Sequence, residues 1–322
     1  MQLPTVQSIT HWVNRVAHTL FTGRWRRVVT GVFLGLTAVV ILTVLYGNRE
    51  LLRTYEWHIQ PYWLLIATLV MFGSMFLGGW AWHLVAKRMA GVENGRLNLK
   101  IWWYANLAKR IPGVVWYIAS RAILYEQAGV SKRTTSLLSG LELALIFVSG
   151  IITTLLTLPF WILPTEITEN LGRAWFLLIL LPLSFLLIQP RILEKIWQKL
   201  SHETNTHPLR WRDTLYWLGF YVIIWVLGGV VMFSTINFFQ TLPATQLLAT
   251  IGMWALASSV SLAGAITFTS IGVREVSLTL LLTQLMPLPV AIITIIAIRL
   301  LWLAGELITA VISLKLTPTP PF

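Results

Sequence analysis

Residues 214–239, TLYWLGFYVIIWVLGGVVMFSTINFF, run without a single charged side chain. About 20 apolar residues at 1.5 Å rise each cross the roughly 30 Å hydrocarbon core of a bilayer, so this stretch is long enough to span one. Apolar runs of the same kind also fall at about 28–47, 61–86, 134–160, 174–189, 246–268, 273–287 and 289–313. Two of them, 174–189 and 273–287, are short, and such runs either tilt little, thin the bilayer or dip in without crossing. No window alternates with period 2, so a β-barrel is not expected. The fold class is therefore all-α: a polytopic transmembrane helical bundle of about seven to eight spans, with one or two re-entrant or broken helices.

Composition agrees. Of 322 residues, 56% are hydrophobic and only 11% charged, with a mean hydropathy of +0.73. An ordinary soluble domain carries about 25% charged residues. The net charge of +12 sits in blocks between the apolar runs, which fits the positive-inside rule and anionic headgroups rather than a nucleic-acid face. With no cysteine in the chain, disulfides, thiol catalysis and Cys-ligated metals are excluded. The six histidines are scattered and show no metal-ligand spacing, so neither metal nor cofactor is expected.

Charge also orients the runs. Residues 1–27 hold Arg15, Arg24, Arg26 and Arg27 with no acidic residue and read as a cytoplasmic basic segment ahead of a retained first helix. Segment 87–133 carries nine Lys and Arg against Glu93 and Glu126, and segment 190–212 carries Arg191, Lys195, Lys199, Arg210 and Arg212. Both belong inside. The loops 48–60, 161–173 and 240–245 belong outside, which brings Lys315 and the C-terminus back to the cytoplasm. Residues 28–315 then form a single transmembrane domain, and 316–322 a short tail. Many of the 17 tryptophans stand at span ends, as Trp25, Trp57, Trp63, Trp161 and Trp211 do, and read as an interfacial aromatic belt.

Three features go beyond anchoring. The segment Trp102-Trp103-Tyr104-Ala105-Asn106-Leu107-Ala108-Lys109-Arg110-Ile111-Pro112-Gly113, followed by Trp116 and Arg121, is too basic to span and too apolar for a solvated loop. Pro112 and Gly113 break any helix at its middle. It forms either a re-entrant hairpin whose Lys109, Arg110 and Arg121 face a lipid phosphate at a wet cavity, or a membrane-surface helix whose cations snorkel to the headgroups. A run of small and hydroxyl residues from Ser258 to Ser270 then ends at Gly272, and Arg274-Glu275 opens a new apolar stretch. That pattern is either a broken helix of the transporter type, its terminus aimed at an anionic group, or a plain turn at the interface. Arg274 at a helix start opposes the helix dipole and calls for an anionic partner. Finally, Glu142, Arg299 and Glu306 lie inside apolar runs, where each costs roughly 2.5–3.5 kcal/mol unless paired or wet. Arg299 and Glu306 are about two turns apart, so Arg299 is expected to meet Glu142 or Glu275 from another helix.

Together these segments resemble the lysylphosphatidylglycerol synthase transmembrane-region family, whose membrane domain also occurs as a stand-alone, flippase-like bacterial protein. The matching pieces are Ala105 to Gly113 with Trp116 and Arg121, Gly129, and Gly272-Val273-Arg274-Glu275. Where family members carry Pro-Gly-Gly-like residues before that last element, this chain has Thr267-Phe268-Thr269-Ser270-Ile271. The resemblance implies the lipid-handling part alone, without the soluble aminoacyl-transferase, and so not an enzyme. Expected function is binding and translocation of a phospholipid or polyprenyl-linked lipid in a bacterial-type cytoplasmic membrane. Lys109, Arg110, Arg121 and Arg274 would hold the phosphate; Pro112, Gly113 and Gly272 would make the breaks; Asn106, Glu142, Glu275, Arg299 and Glu306 would shape a polar cavity. The expected partners are membrane lipids, anionic ones foremost. Alternatives are a non-catalytic membrane partner of a glycosyltransferase or lipid synthase, a membrane-embedded lipid-modifying enzyme, and a small-ion carrier.

Overall fold

The structure, a computed structural model, describes residues 42–108, 114–161, 186, 188–201, 209–266 and 272–315. Residues Met1–Tyr55 form one unit and Glu56–Phe322 another. In the first, the described part includes the short helix α1 (Arg49–Thr54), where Glu50 is paired with Arg49 and Arg53 on the surface.

The second unit is built from α2 (Pro61–Ala90), α3 (Gly95–Ala108), α4 (Val114–Glu126), α5 (Lys132–Thr157), α6 (Pro190–Ser201), α7 (Trp211–Phe239), α8 (Leu247–Ile266), α9 (Val273–Leu282) and α10 (Leu288–Lys315). Among the described residues there is no strand. Among the described residues, five stretches are long and apolar enough to cross a membrane: Pro61–Ala90, Lys132–Phe160, Trp211–Phe239, Ala244–Gly264 and Leu288–Ser313. They correspond to five of the eight expected runs. The basic segment 1–27, most of run 28–47, nearly all of run 174–189 and the tail 316–322 lie outside the described residues. Run 273–287 forms the ten-residue α9, which at 1.5 Å per residue covers about 15 Å, half the hydrocarbon core.

Local chemistry sets the ends of these helices. Pro61 opens α2 at its first turn, where its missing N–H costs nothing. Lys87 and Arg88 sit in the last turn of α2, matched to the negative end of the dipole. The Ser131 hydroxyl caps α5 by accepting from the Thr134 N–H at 3.1 Å. At the start of α7 the Asp213 carboxylate accepts from the Arg210 N–H at 3.1 Å and lies 3.4 Å from Arg88.

That last contact ties the end of α2 to the start of α7. At the opposite end the His58 N–H donates to the Phe239 carbonyl at 3.0 Å. The two helices are therefore antiparallel. The Gln240 amide reaches the Leu285 carbonyl at 3.5 Å, so the chain after α9 has come back to the far end of α7. α8 and α9 thus go in and return, and α10 then runs the whole length.

The break between them is at Gly272, whose φ of 83° is a left-handed conformation that a Cβ disfavours. α8 packs on both α7 and α5, while α3 is held among α2, α4 and α10. Ile101, Trp102, Ala105, Tyr117 and Ala122 are all buried. The α3–α4 pair is thus a helical hairpin inserted in the bundle, with its apolar residues against protein.

Close backbone approach makes one seam particularly tight. A Cβ built on Gly229 of α7 would stand 2.4 Å from the Ile251 Cα of α8, so no side chain fits there. Gly229→Ala should therefore cost roughly 1–3 kcal/mol, the usual penalty of overpacking. Gly219→Ala, in the same helix but facing open space, should stay within about 0.5 kcal/mol of the parent. Unfolding midpoints in detergent distinguish the two; equal losses would contradict a backbone-tight seam.

Candidate functional site

A carboxylate in the core organises the middle of the bundle. Glu142 of α5 has no exposed surface. Its Oε1 accepts from the Trp102 indole N–H at 3.0 Å and from the Tyr221 hydroxyl at 3.1 Å. Its Oε2 accepts from the Tyr117 hydroxyl at 2.5 Å and from the Arg121 guanidinium. Helices α3, α4, α5 and α7 are thereby joined at one group. Arg121 is equally buried, its Cζ 3.8 Å from the Trp82 ring centre and 4.1 Å from that of Tyr117. Its Nε and Nη2 have no hydrogen-bond partner among the described residues, and the guanidinium rests against these two aromatic faces, a weaker but real form of cation stabilisation.

The network continues beyond Arg121. The Trp82 N–H donates to the Tyr125 hydroxyl at 2.7 Å, which donates to the Asn98 carbonyl oxygen at 2.5 Å. The Asn98 amide then reaches the Val92 carbonyl at 2.9 Å and His83 Nδ1 at 2.8 Å. Both phenols act as donors here, Tyr117 to Glu142 and Tyr125 to Asn98.

Beside this knot lies a cavity of about 340 Å³, walled by α2, α3, α5 and α7 to α10. Asn106, Arg274, Glu275, Arg299 and Glu306 all line it. Arg299 Nη1 is 3.0 Å from Glu275 Oε1, and these side chains are 50% and 32% exposed, so the cavity opens to the surface of the bundle. Arg274 stacks its guanidinium 4.0 Å over the Trp254 ring, and Trp254 lies nearly parallel to Trp302, at 16° and 5.8 Å. Among the described residues, three polar atoms on the cavity lining lack a hydrogen-bond partner: Asn106 Oδ1, Ser258 Oγ and Trp302 Nε1. A buried polar atom left in that state costs about 1–3 kcal/mol. Cavities of this size, apolar with a few convergent polar groups, are the usual form of a small-molecule site.

Knot and cavity share two residues. Trp102 and Tyr221 point their N–H and O–H at Glu142, and both also line the cavity. Gly78 makes room for this: a Cβ there would come within 2.6 Å of Trp102 Cζ2.

Five of the polar residues singled out from sequence thus meet at one place. Arg299 pairs with Glu275, one of its two expected partners. Gly272 makes the break ahead of Arg274 and Glu275. Arg121 and Glu142 stand apart: Arg121 is sealed against Glu142 and is not among the cavity-lining residues. Lys109, Arg110, Pro112 and Gly113 lie outside the described residues. Sequence reasoning passed over Tyr221, Trp225, Trp254 and Trp302 as cavity walls. Their signal was position: unlike belt residues, they fall well inside apolar runs rather than at the ends.

No protein-family model, no curated protein and no solved structure matches the chain. Fold and site therefore define the class: this is an integral membrane protein, a helical bundle with a polar cavity among its spans.

The Glu142 knot makes a definite prediction. Glu142→Leu alone leaves the buried Arg121 cation uncompensated and should destabilise by about 3–5 kcal/mol. Arg121→Met added to it should recover most of that loss. Denaturant titration in mixed micelles measures both, and simple additivity of the two substitutions would dismiss the pair as the centre of the network.

Proposed function

We propose that the protein binds a phospholipid or polyprenyl-linked lipid in this cavity and carries it between leaflets, acting as a stand-alone flippase-like protein. The observation that carries this reading is the convergence of Asn106, Arg274, Glu275, Arg299 and Glu306 on one cavity that opens to the bundle surface. Ionisable side chains at such positions are costly in a bilayer, and they commonly mark the path of a polar substrate. Arg274, in the first turn of α9, and Arg299 are the described cations suited to a lipid phosphate. Lys109 and Arg110, three and four residues after Asn106 in the sequence, are the further cations this reading assigns to the phosphate. Glu275 holds Arg299 in place, and Glu306, also on the cavity wall, tunes the field around the cations. Arg121 belongs to the lock beside the cavity. This assignment agrees with the resemblance to the lysylphosphatidylglycerol synthase transmembrane region, of which α3–α4 and the Gly272 break carry the matching residues.

In this reading the runs 28–47 and 174–189 add two spans to the five, for seven, or eight with the half-length α9 counted, in a bacterial-type cytoplasmic membrane. The basic end of the bundle, with Arg88, Arg210 and Arg212, faces the cytoplasm, as the positive-inside rule requires. Both chain termini lie on that side.

The test is a leaflet-transfer assay on the reconstituted protein, with a fluorescent phospholipid reduced from outside the vesicles. Protein-dependent transfer is expected. An Arg274→Ala, Arg299→Ala double variant should slow it at least about tenfold, since each lost charge-assisted hydrogen bond is worth about 1.5–3 kcal/mol. Normal transfer by that variant, at undiminished folding, would remove the site assignment. Absence of transfer together with co-purification of a glycosyltransferase or lipid synthase would instead favour a non-catalytic partner role.

A further inference from the structure

We infer that α6 carries a second lipid site, a basic face that binds the headgroups of anionic phospholipids at the basic end of the bundle. Its sequence is Pro-Arg-Ile-Leu-Glu-Lys-Ile-Trp-Gln-Lys-Leu-Ser. Arg191, Lys195 and Lys199 recur every four residues, and at 100° per residue each is displaced only about 40° from the last. They form one stripe about 12 Å long on the exposed side of the helix. The opposite side holds Pro190, Leu193 and Trp197. Trp197 is 4% exposed and sits in a core cluster with Met89, Leu138, Leu209 and Trp217. α6 packs on α5, so its apolar side is taken by the protein and its basic side faces outward.

At this end Lys87 is paired with Glu93, Arg88 with Asp213 and Lys132 with Glu126, while Arg96, Arg133 and Arg212 are exposed cations with no ion pair among the described residues. Arg191, Lys195 and Lys199 make no ion pair or hydrogen bond with any described residue. Their positions are not explained by the helix either. Lys199 suits the last turn, but Arg191 lies in the first, where it opposes the dipole. An external anion accounts for all three.

The occupant is a lipid surface because of where the stripe is. α6 ends at Ser201 and α7 begins at Trp211, where Asp213 meets Arg88 at the end of α2, so along the chain α6 adjoins the end of the bundle where spans meet headgroups. There the anionic leaflet attracts basic side chains, by about fivefold in affinity for each. None of the α6 residues lines the cavity, so this site stands whether or not the cavity transports lipid.

The experiment uses the full-length chain in phosphatidylcholine nanodiscs doped with photoactivatable phosphatidylglycerol or, in a parallel arm, photoactivatable phosphatidylcholine. Adducts are mapped by mass spectrometry. Phosphatidylglycerol should label α6 preferentially, and the preference should fall as salt rises. R191Q/K195Q/K199Q should cut the phosphatidylglycerol adducts at α6 at least tenfold, with unfolding midpoint and adducts elsewhere unchanged. Equal labelling of α6 by the two lipids would overturn the proposal, as would unchanged labelling in the triple variant. A triple variant that loses a co-purifying acidic protein, with no phosphatidylglycerol preference in the parent, would overturn it in favour of a protein partner. Should the triple variant misfold, the single substitutions decide the matter: each should lower the adducts several-fold, and unchanged labelling in all three would overturn the proposal.

Discussion

An ionised carboxylate away from water must be surrounded by donors or it will not stay ionised, and Glu142 meets that demand with groups from three other helices. Trp102, Tyr117, Arg121 and Tyr221 all reach it. The protein has no single-helix route to the same result, because neighbours on one helix cannot surround a carboxylate on every side. So α3, α4 and α7 are located relative to α5 by a polar requirement, while apolar packing fills the rest. In lipid this matters more than in water, since apolar burial alone drives helices together only weakly there.

The knot also explains why the cavity has a defined shape. A tryptophan or tyrosine on a cavity wall swings freely unless something holds its polar tip. Trp102 and Tyr221 are held by Glu142, and Trp225 by the Ile146 carbonyl and the Ser149 hydroxyl at 3.1 and 3.0 Å. The remaining wall is different in kind. Arg274 rests on Trp254 and Arg299 meets Glu275, so there the electrostatics face the open space. One side of the cavity is fixed scaffold and the other is charged surface.

Much of the bundle was legible because hydropathy and length are local properties. Five of the apolar runs became long helices at nearly the expected positions. The break at Gly272 was legible for the same reason, being written in small residues and a glycine. Which carboxylate takes which guanidinium was not. Arg299 had Glu142 and Glu275 as equal candidates, and only the packing of α9 against α10 decides for Glu275. Arg121 looked like a phosphate ligand because it follows a basic segment; its true partner is on another helix, 21 residues on. The tryptophans misled through a valid average: most are interfacial, but those deep in a run have no headgroup to meet and turn inward. Run 273–287 shows the converse: reading it as one apolar run passes over Thr283-Gln284, where the helix stops after Leu282.

The seam at Gly229 bears on how such a molecule can change shape. Where a backbone lies against Ile251 with no side chain between them, there is no rotamer to flip and no slack to slide along, so α7 and α8 must travel as one piece. α9 is free of that bond. It is short, it is joined to α8 through a left-handed glycine, and its charged first turn borders the open side of the cavity. The bundle thus sets a backbone-tight pair, α7 and α8, beside a half-length helix whose charged first turn faces open space.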